Sequence, residues 1–216
     1  MKNLLYKEIR LTLHPTNVLF LFLALMVFIP GYPYTVPCFF TTLGIQFLCM
    51  NARENHDTEF TAVLPVRKGD AVRARMALAV LLEVGQLALM IPCFLLKDAV
   101  YPPDMDNPAG MEANFALLGL CLVLLGVFNL AFFPNYYKDI RKVGVPFVLA
   151  ILPLWVLLLL FESFTYFVPF FQTLDTRGSA FLAEKLAVLA VGAVLFAAMT
   201  LLALRLSLRR FQRADL

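Results

Sequence analysis

Apolar residues run through this chain in long unbroken stretches, and the polar breaks between them define its elements. Residues 1–15 read as a short amphipathic helix: Asn3, Lys7, Arg10 and His14 share one face, Leu5, Ile9 and Leu13 line another, and Pro15 ends it. Such a helix lies in the membrane interface with its basic side toward lipid headgroups. From Thr16 to Met50 runs an apolar hairpin broken by Pro30, Gly31, Pro33 and Pro37. Each arm has about 14–17 residues, at the short end of what crosses a bilayer, so the hairpin either crosses twice or re-enters. A polar segment, 51–75, leads into an apolar run from Met76 to Leu96, and an acidic, proline-rich loop follows from Lys97 to Glu112. Further spans are predicted at Ala113–Phe133, Val145–Phe161 and Glu184–Leu204. A basic turn (Pro134 to Gly144) and an aromatic connection (Glu162 to Ala183) join them. On the last span Ala183, Ala187, Ala190 and Ala197 predict a packing seam.

Composition narrows the class. The 216 residues are 61% hydrophobic and 15% charged, with a mean hydropathy of +0.80, whereas soluble domains run near 45–50% apolar and about 25% charged. Six spans of roughly 20 residues consume most of this length and leave no room for a soluble catalytic domain. Continuous rather than alternating apolar stretches exclude a strand barrel. The expected fold is therefore an all-α integral membrane protein with six transmembrane helices in one domain, 16–216, preceded by the interfacial helix 1–15.

The net charge of +3 gives no case for a nucleic-acid partner; its distribution says more. Fifteen Lys and Arg fall in the N-terminus, the 51–75 segment, the 134–144 turn and the tail from Arg205, against three elsewhere, Lys97, Arg177 and Lys185. Both termini are then cytoplasmic and the number of crossings even. Tyr32, Tyr34, Tyr101, Tyr136, Tyr137 and Tyr166 sit near span ends, as interfacial anchors do. The first 15 residues carry charge throughout and do not form a secretory signal.

Reactive chemistry is sparse. Cys38, Cys49, Cys93 and Cys121 lie in apolar stretches without paired spacing and read as small buried hydrophobes. Ser163, Ser179 and Ser207 are not mid-span, and His14 and His56 lie in polar segments, so no Ser–His arrangement or His-based metal site forms at depth. No glycine is followed by lysine, which excludes a phosphate-binding loop. Any ATP used is bound by another chain. Within the spans Gln46, Glu83, Gln86 and Asn129 are polar, and Glu162 lies near the outer edge. They are interhelical hydrogen-bond partners or the lining of a polar cavity.

The segment 51–75 is the most informative. Glu54, Asp57 and Glu59 precede an apolar patch of Phe60, Val63 and Leu64 at helical spacing. Pro65 stops that helix, and Asp70 stands at an N-cap position for the next. The run Leu64-Pro65-Val66-Arg67-Lys68-Gly69-Asp70-Ala71-Val72-Arg73-Ala74-Arg75, preceded by Glu54 and Glu59, resembles the connection between spans two and three of ABC-2-type permeases, the membrane subunits of ATP-binding-cassette exporters. The likeness extends to the interfacial helix, six spans and cytoplasmic ends. Within that family the chain is most similar to short bacterial permeases that pair with a separate ATPase, including those exporting phenol-soluble modulins. Two features depart from the pattern: Arg73 or Arg75 replaces a lysine at the start of span three, and the first hairpin is short.

The resemblance implies that the short helix is a coupling helix seated on an ATPase, with Glu54, Asp57, Glu59, Phe60, Leu64 and Arg67 at the contact. Two ATPase subunits holding ATP and Mg, and a second permease subunit in a homodimer or heterodimer, would complete a transporter in the bacterial cell membrane; no cofactor sits on this chain. Hydrophobic or amphipathic peptides would pass a cavity marked by Gln46, Glu83, Gln86 and Asn129. An outer gate would hold Glu162, Phe164, Phe167 and Phe170. Two other classes compete: a solute-binding membrane module of an energy-coupling-factor importer, and a proton-coupled secondary transporter using Glu83.

Overall fold

A computed structural model describes residues 2–29, 31–63, 66–102 and 107–213, and among these every regular element is helical. Helix α1 (Lys2–Leu11) meets α2 (Pro15–Leu21) at a bend of 92°. His14 has the extended conformation of a cap, its Nδ1 accepts from the Thr16 amide at 3.3 Å, and Pro15 occupies the first helical turn, where its missing N–H costs nothing. A 3-10 helix, Phe22–Phe28, continues α2. Then follow α3 (Val36–Glu54), α4 (Asp57–Val63), α5 (Lys68–Val100), α6 (Phe115–Tyr136), α7 (Gly144–Phe167), α8 (Pro169–Leu174) and α9 (Leu182–Arg213). The apolar runs predict the cores of α5, α6, α7 and α9; the helices themselves extend into the polar flanks, because backbone hydrogen bonding does not stop where lipid exposure stops.

Four helices, α5, α6, α7 and α9, are long and apolar enough to cross a membrane, or five spans if α1 with the α2–3-10 arm counts as one bent span. Six are expected from the sequence. Helix α3, with Thr41, Thr42, Gln46, Asn51, Arg53 and Glu54 along it, is not among them. The long apolar helices are those of a membrane-embedded protein.

The contacts sort the chain into two ends. At one lie α1, α4, the α6–α7 turn and the end of α9, joined by Lys7–Asp57 (2.8 Å), Arg53 Nη1 donating to the Arg141 carbonyl (3.3 Å) and Tyr137 against Phe211 (5.3 Å). This is the basic end. At the far end Tyr101 donates to the Phe28 carbonyl (3.0 Å) and Thr35 to Glu162 (3.0 Å). The first arm and α3 thus each run from one end to the other. Overwinding helps the first arm do so: seven α and seven 3-10 residues rise about 24 Å in all.

Helix α6 is the centre, packed along its length against α9 and α7. A Cβ on Gly119 would come within 2.6 Å of the Val188 carbonyl, and one on Gly192 would run into the backbone of Gly119. Gly126, two turns on, faces Phe196 and Met199. These residues are the seam. The predicted alanine series is not: Ala183, Ala187, Ala190 and Ala197 are all exposed, on the other side of α9. Among the tyrosines, Tyr34, Tyr136 and Tyr137 are buried in protein rather than anchored at the interface, because each hydroxyl or ring finds partners there. All four cysteines are buried and free, as expected.

Candidate functional site

Helix α4 is held by a buried ion cluster. After Glu54 the chain turns through Asn55 and His56, whose φ of 49° is one that few residues other than glycine adopt readily. Past this turn Asp57 is buried. Its carboxylate accepts from Arg75 Nη2 at 2.6 Å and pairs with Lys7 at 2.8 Å. Arg75 also donates through Nε to Glu8 at 3.0 Å and through Nη1 to Tyr136 at 3.2 Å. Lys7 donates to Thr61 at 2.7 Å and pairs with Glu8 at 3.1 Å. Two cations and two carboxylates balance, which is the condition for burying them at all. Burial alone would push the Glu8 carboxyl up, but Arg75 and Lys7 overrule it and hold it below its ordinary range.

Two expectations change accordingly. Asp57, 4% exposed, is not available to a partner; it is the anchor of α4. Nor does α1 present Lys7 to lipid, since Lys7 faces the cluster, beside buried Glu8 on α1 and buried Thr12 just past its end. What α4 offers outward is Phe60, 59% exposed, and Val63, 86% exposed, flanked by exposed Glu54 and Arg67. The side chain of Glu59, and Leu64, lie outside the described residues. Arg67 caps α5, and Asp70 sits within its first turn, receiving Arg73 at 2.7 Å, rather than at the cap.

A polar waist crosses the middle of the bundle. On α5, Glu83 and Gln86 fall between Leu82, in one hydrophobic cluster, and Leu87, in the other. Asn129 Nδ2 donates to Glu83 Oε2 at 2.9 Å and to Thr200 Oγ1 at 3.2 Å. Gln86 donates to the Phe20 carbonyl at 3.0 Å and accepts from the Ala24 amide at 3.1 Å, fastening the junction of α2 and the 3-10 helix. Glu83, Gln86 and Asn129 are fully buried, so within a single chain they join helices rather than line an open path. Gln46, half-buried on α3, makes no hydrogen bond with them.

The expected outer gate divides. Glu162 accepts from Thr35 and from the Met111 amide, both at 3.0 Å, and belongs to a polar seal over the far end. Phe164 packs on Phe171 at 5.3 Å, whereas Phe167 and Phe170 are exposed. The seal includes residues that sequence reasoning missed: Lys97 pairs with Glu112 at 2.7 Å and donates to Tyr34 at 2.9 Å, Arg177 pairs with Asp98 at 3.1 Å, and Lys185 donates to the Thr176 carbonyl at 2.6 Å. All three far-end cations are therefore occupied. Their signal in the sequence was a charge at the edge of an apolar run, the same signal that Arg75 carries.

Among the described residues no group of three or more His, Cys, Asp or Glu is placed to hold a metal ion. No protein-family model, no curated protein and no solved structure matches this chain.

Proposed function

We propose that this chain is the membrane subunit of an ABC-2-type exporter, driven by separate ATPase subunits and moving hydrophobic or amphipathic peptides out of a bacterial cell. The observation that carries the reading is α4: a seven-residue helix whose inner side is pinned by buried ions and whose outer side leaves Phe60 and Val63 uncovered among the described residues. Large apolar side chains held rigidly in an exposed position suit a protein partner. The first arm and α3 are spans one and two of six, which puts both termini on the basic, cytoplasmic side.

The mechanism follows from the anchor. ATP and Mg, bound by the partner, close two ATPase subunits and carry α4 with them. Because Asp57 and Glu8 both grip Arg75, the displacement passes to α5 and α1 instead of dissipating in a loop. Two copies of the bundle form the path, meeting through apolar faces of α7 or α9 that a single copy leaves uncovered. Between the two ends the spans present no charged group but Glu83, which favours apolar cargo over ionic solutes.

The test is ATPase stimulation in vesicles holding this chain and its motor. Phe60→Asp, and separately Glu54→Lys with Glu59→Lys, are expected to cut stimulation at least tenfold while the chain stays monodisperse. Stimulation equal to wild type in both variants would sink the assignment.

A further inference from the structure

We infer that Glu83 binds a proton and, through it, forms a two-hydrogen-bond acid–amide pair with Asn129 that clasps α5 to α6. Three observations lead there, none depending on the export reading. First, Glu83 and Asn129 are both fully buried and already joined by Nδ2 donating to Oε2 at 2.9 Å. Second, the remaining oxygen on each side of that bond, Glu83 Oε1 and Asn129 Oδ1, is buried without a hydrogen-bond partner. Buried polar atoms are nearly always satisfied, so a lone acceptor on each of two hydrogen-bonded side chains marks a missing hydrogen. One hydrogen on Oε1, donated to Oδ1, satisfies both. Asn129 then uses its second N–H on Thr200, and the accounting at the waist closes.

Third, among the described residues nothing at this level can neutralise a carboxylate. Helix α6 carries no charged residue, and neither do α2 and the 3-10 helix. Helix α9 has none between Lys185 and Arg205, and α5 none between Arg75 and Lys97 apart from Glu83 itself. The charges of α3 are confined to Arg53 and Glu54 at its end, and that of α7 to Glu162 at the far end. The other titratable groups on these helices are the thiols Cys38, Cys49, Cys93 and Cys121 and the phenols Tyr136 and Tyr166, which bring no positive charge. An isolated ion in such surroundings gives way to its neutral form. The ligand is a proton taken from water; its release returns it to water and leaves an anion between two apolar clusters, with Asn129 Oδ1 unpaired. Proton release therefore undoes the clasp, and hydrating the waist is what would cause it.

The test uses the full purified chain and infrared spectroscopy at about pH 7, where exposed glutamates, ionising near 4.3, are carboxylates. A protonated-acid band that disappears in Glu83→Gln is expected. The melting temperature of the wild type should also fall with rising pH relative to the variant, since the amide reproduces the neutral pair without titrating. No acid band assignable to Glu83, as when a buried water bridges the two oxygens and the carboxylate is ionised, overturns the inference. Should Glu83→Gln not fold, the chain bearing Glu162→Gln and labelled with carbon-13 glutamate serves instead: a labelled acid band at the same pH supports the pair, and its absence overturns it. Either result can arise whether or not an ATPase is stimulated, so the two readings fail separately.

Discussion

Arg75 is the residue on which the basic end turns. It touches Glu8 on α1, Asp57 on α4 and Tyr136 on α6, and it is 3% exposed. Replacing it with leucine strands two buried carboxylates against Lys7 alone, which costs about 3–5 kcal/mol; thermal unfolding in detergent should show it, and Arg75→Lys, lacking the planar fork, should fall between. The same cluster is expected to be acid-sensitive. The folded-state pKa of Glu8 lies below its ordinary 4.5, so its stabilisation is present above that value and lost as pH falls through the lowered one. Susceptibility of the 55–67 region to protease should rise over that window in the wild type. None of this pairing was legible beforehand. Glu8 and Arg75 are 67 positions apart, and a charged face on a short helix next to an apolar chain is read as lipid-facing until a counter-ion is located.

At the scale of elements, periodicity and proline placement did most of the work. Apolar runs located α5, α6, α7 and α9, and Pro15 marked the corner between α1 and α2. The small residues of α9 misled, because they occupy more than one face: the alanines are exposed, while Gly192, Phe196 and Ala203 turn inward. Spacing alone cannot choose between such faces; only the matching glycine on α6 does. The close approach makes a sharp prediction. Gly192→Leu should force the α6 and α9 backbones apart, costing at least the ~1–3 kcal/mol of an overpacked core, with loss of folded yield. Ala190→Leu, half a turn away and exposed, should express and melt like the wild type.

For the molecule as a whole, the charge asymmetry seen in the sequence is sharper in three dimensions. The three far-end cations are consumed by Glu112, Asp98 and backbone carbonyls, whereas Lys138, Arg141, Lys142, Arg205 and Arg209 remain exposed at the other end. In the six-span reading, cysteines substituted at Lys138 and Arg209 should react with an impermeant thiol reagent only in inside-out vesicles, and one at Ser179 only in right-side-out vesicles. The reverse pattern would invert the topology. Fold class was legible from hydropathy because bilayers impose length and continuity on every span. The anchor, the waist and the seal were not, because each is made of side chains brought together from distant segments.

The brevity of the first arm bears on the lipid around it. Its two pieces reach about 24 Å, yet Val18, Leu19, Phe22, Leu25 and Ile29 are turned outward and α5 beside it is roughly 50 Å long. In the six-span reading, a bilayer of ordinary thickness, about 30 Å in its hydrocarbon part, overshoots that flank and would have to be pinched there to wet those side chains. Acyl chains on that side would then be compressed and disordered relative to the other, and thickening the membrane with longer lipids would penalise this protein first at its amino-terminal edge.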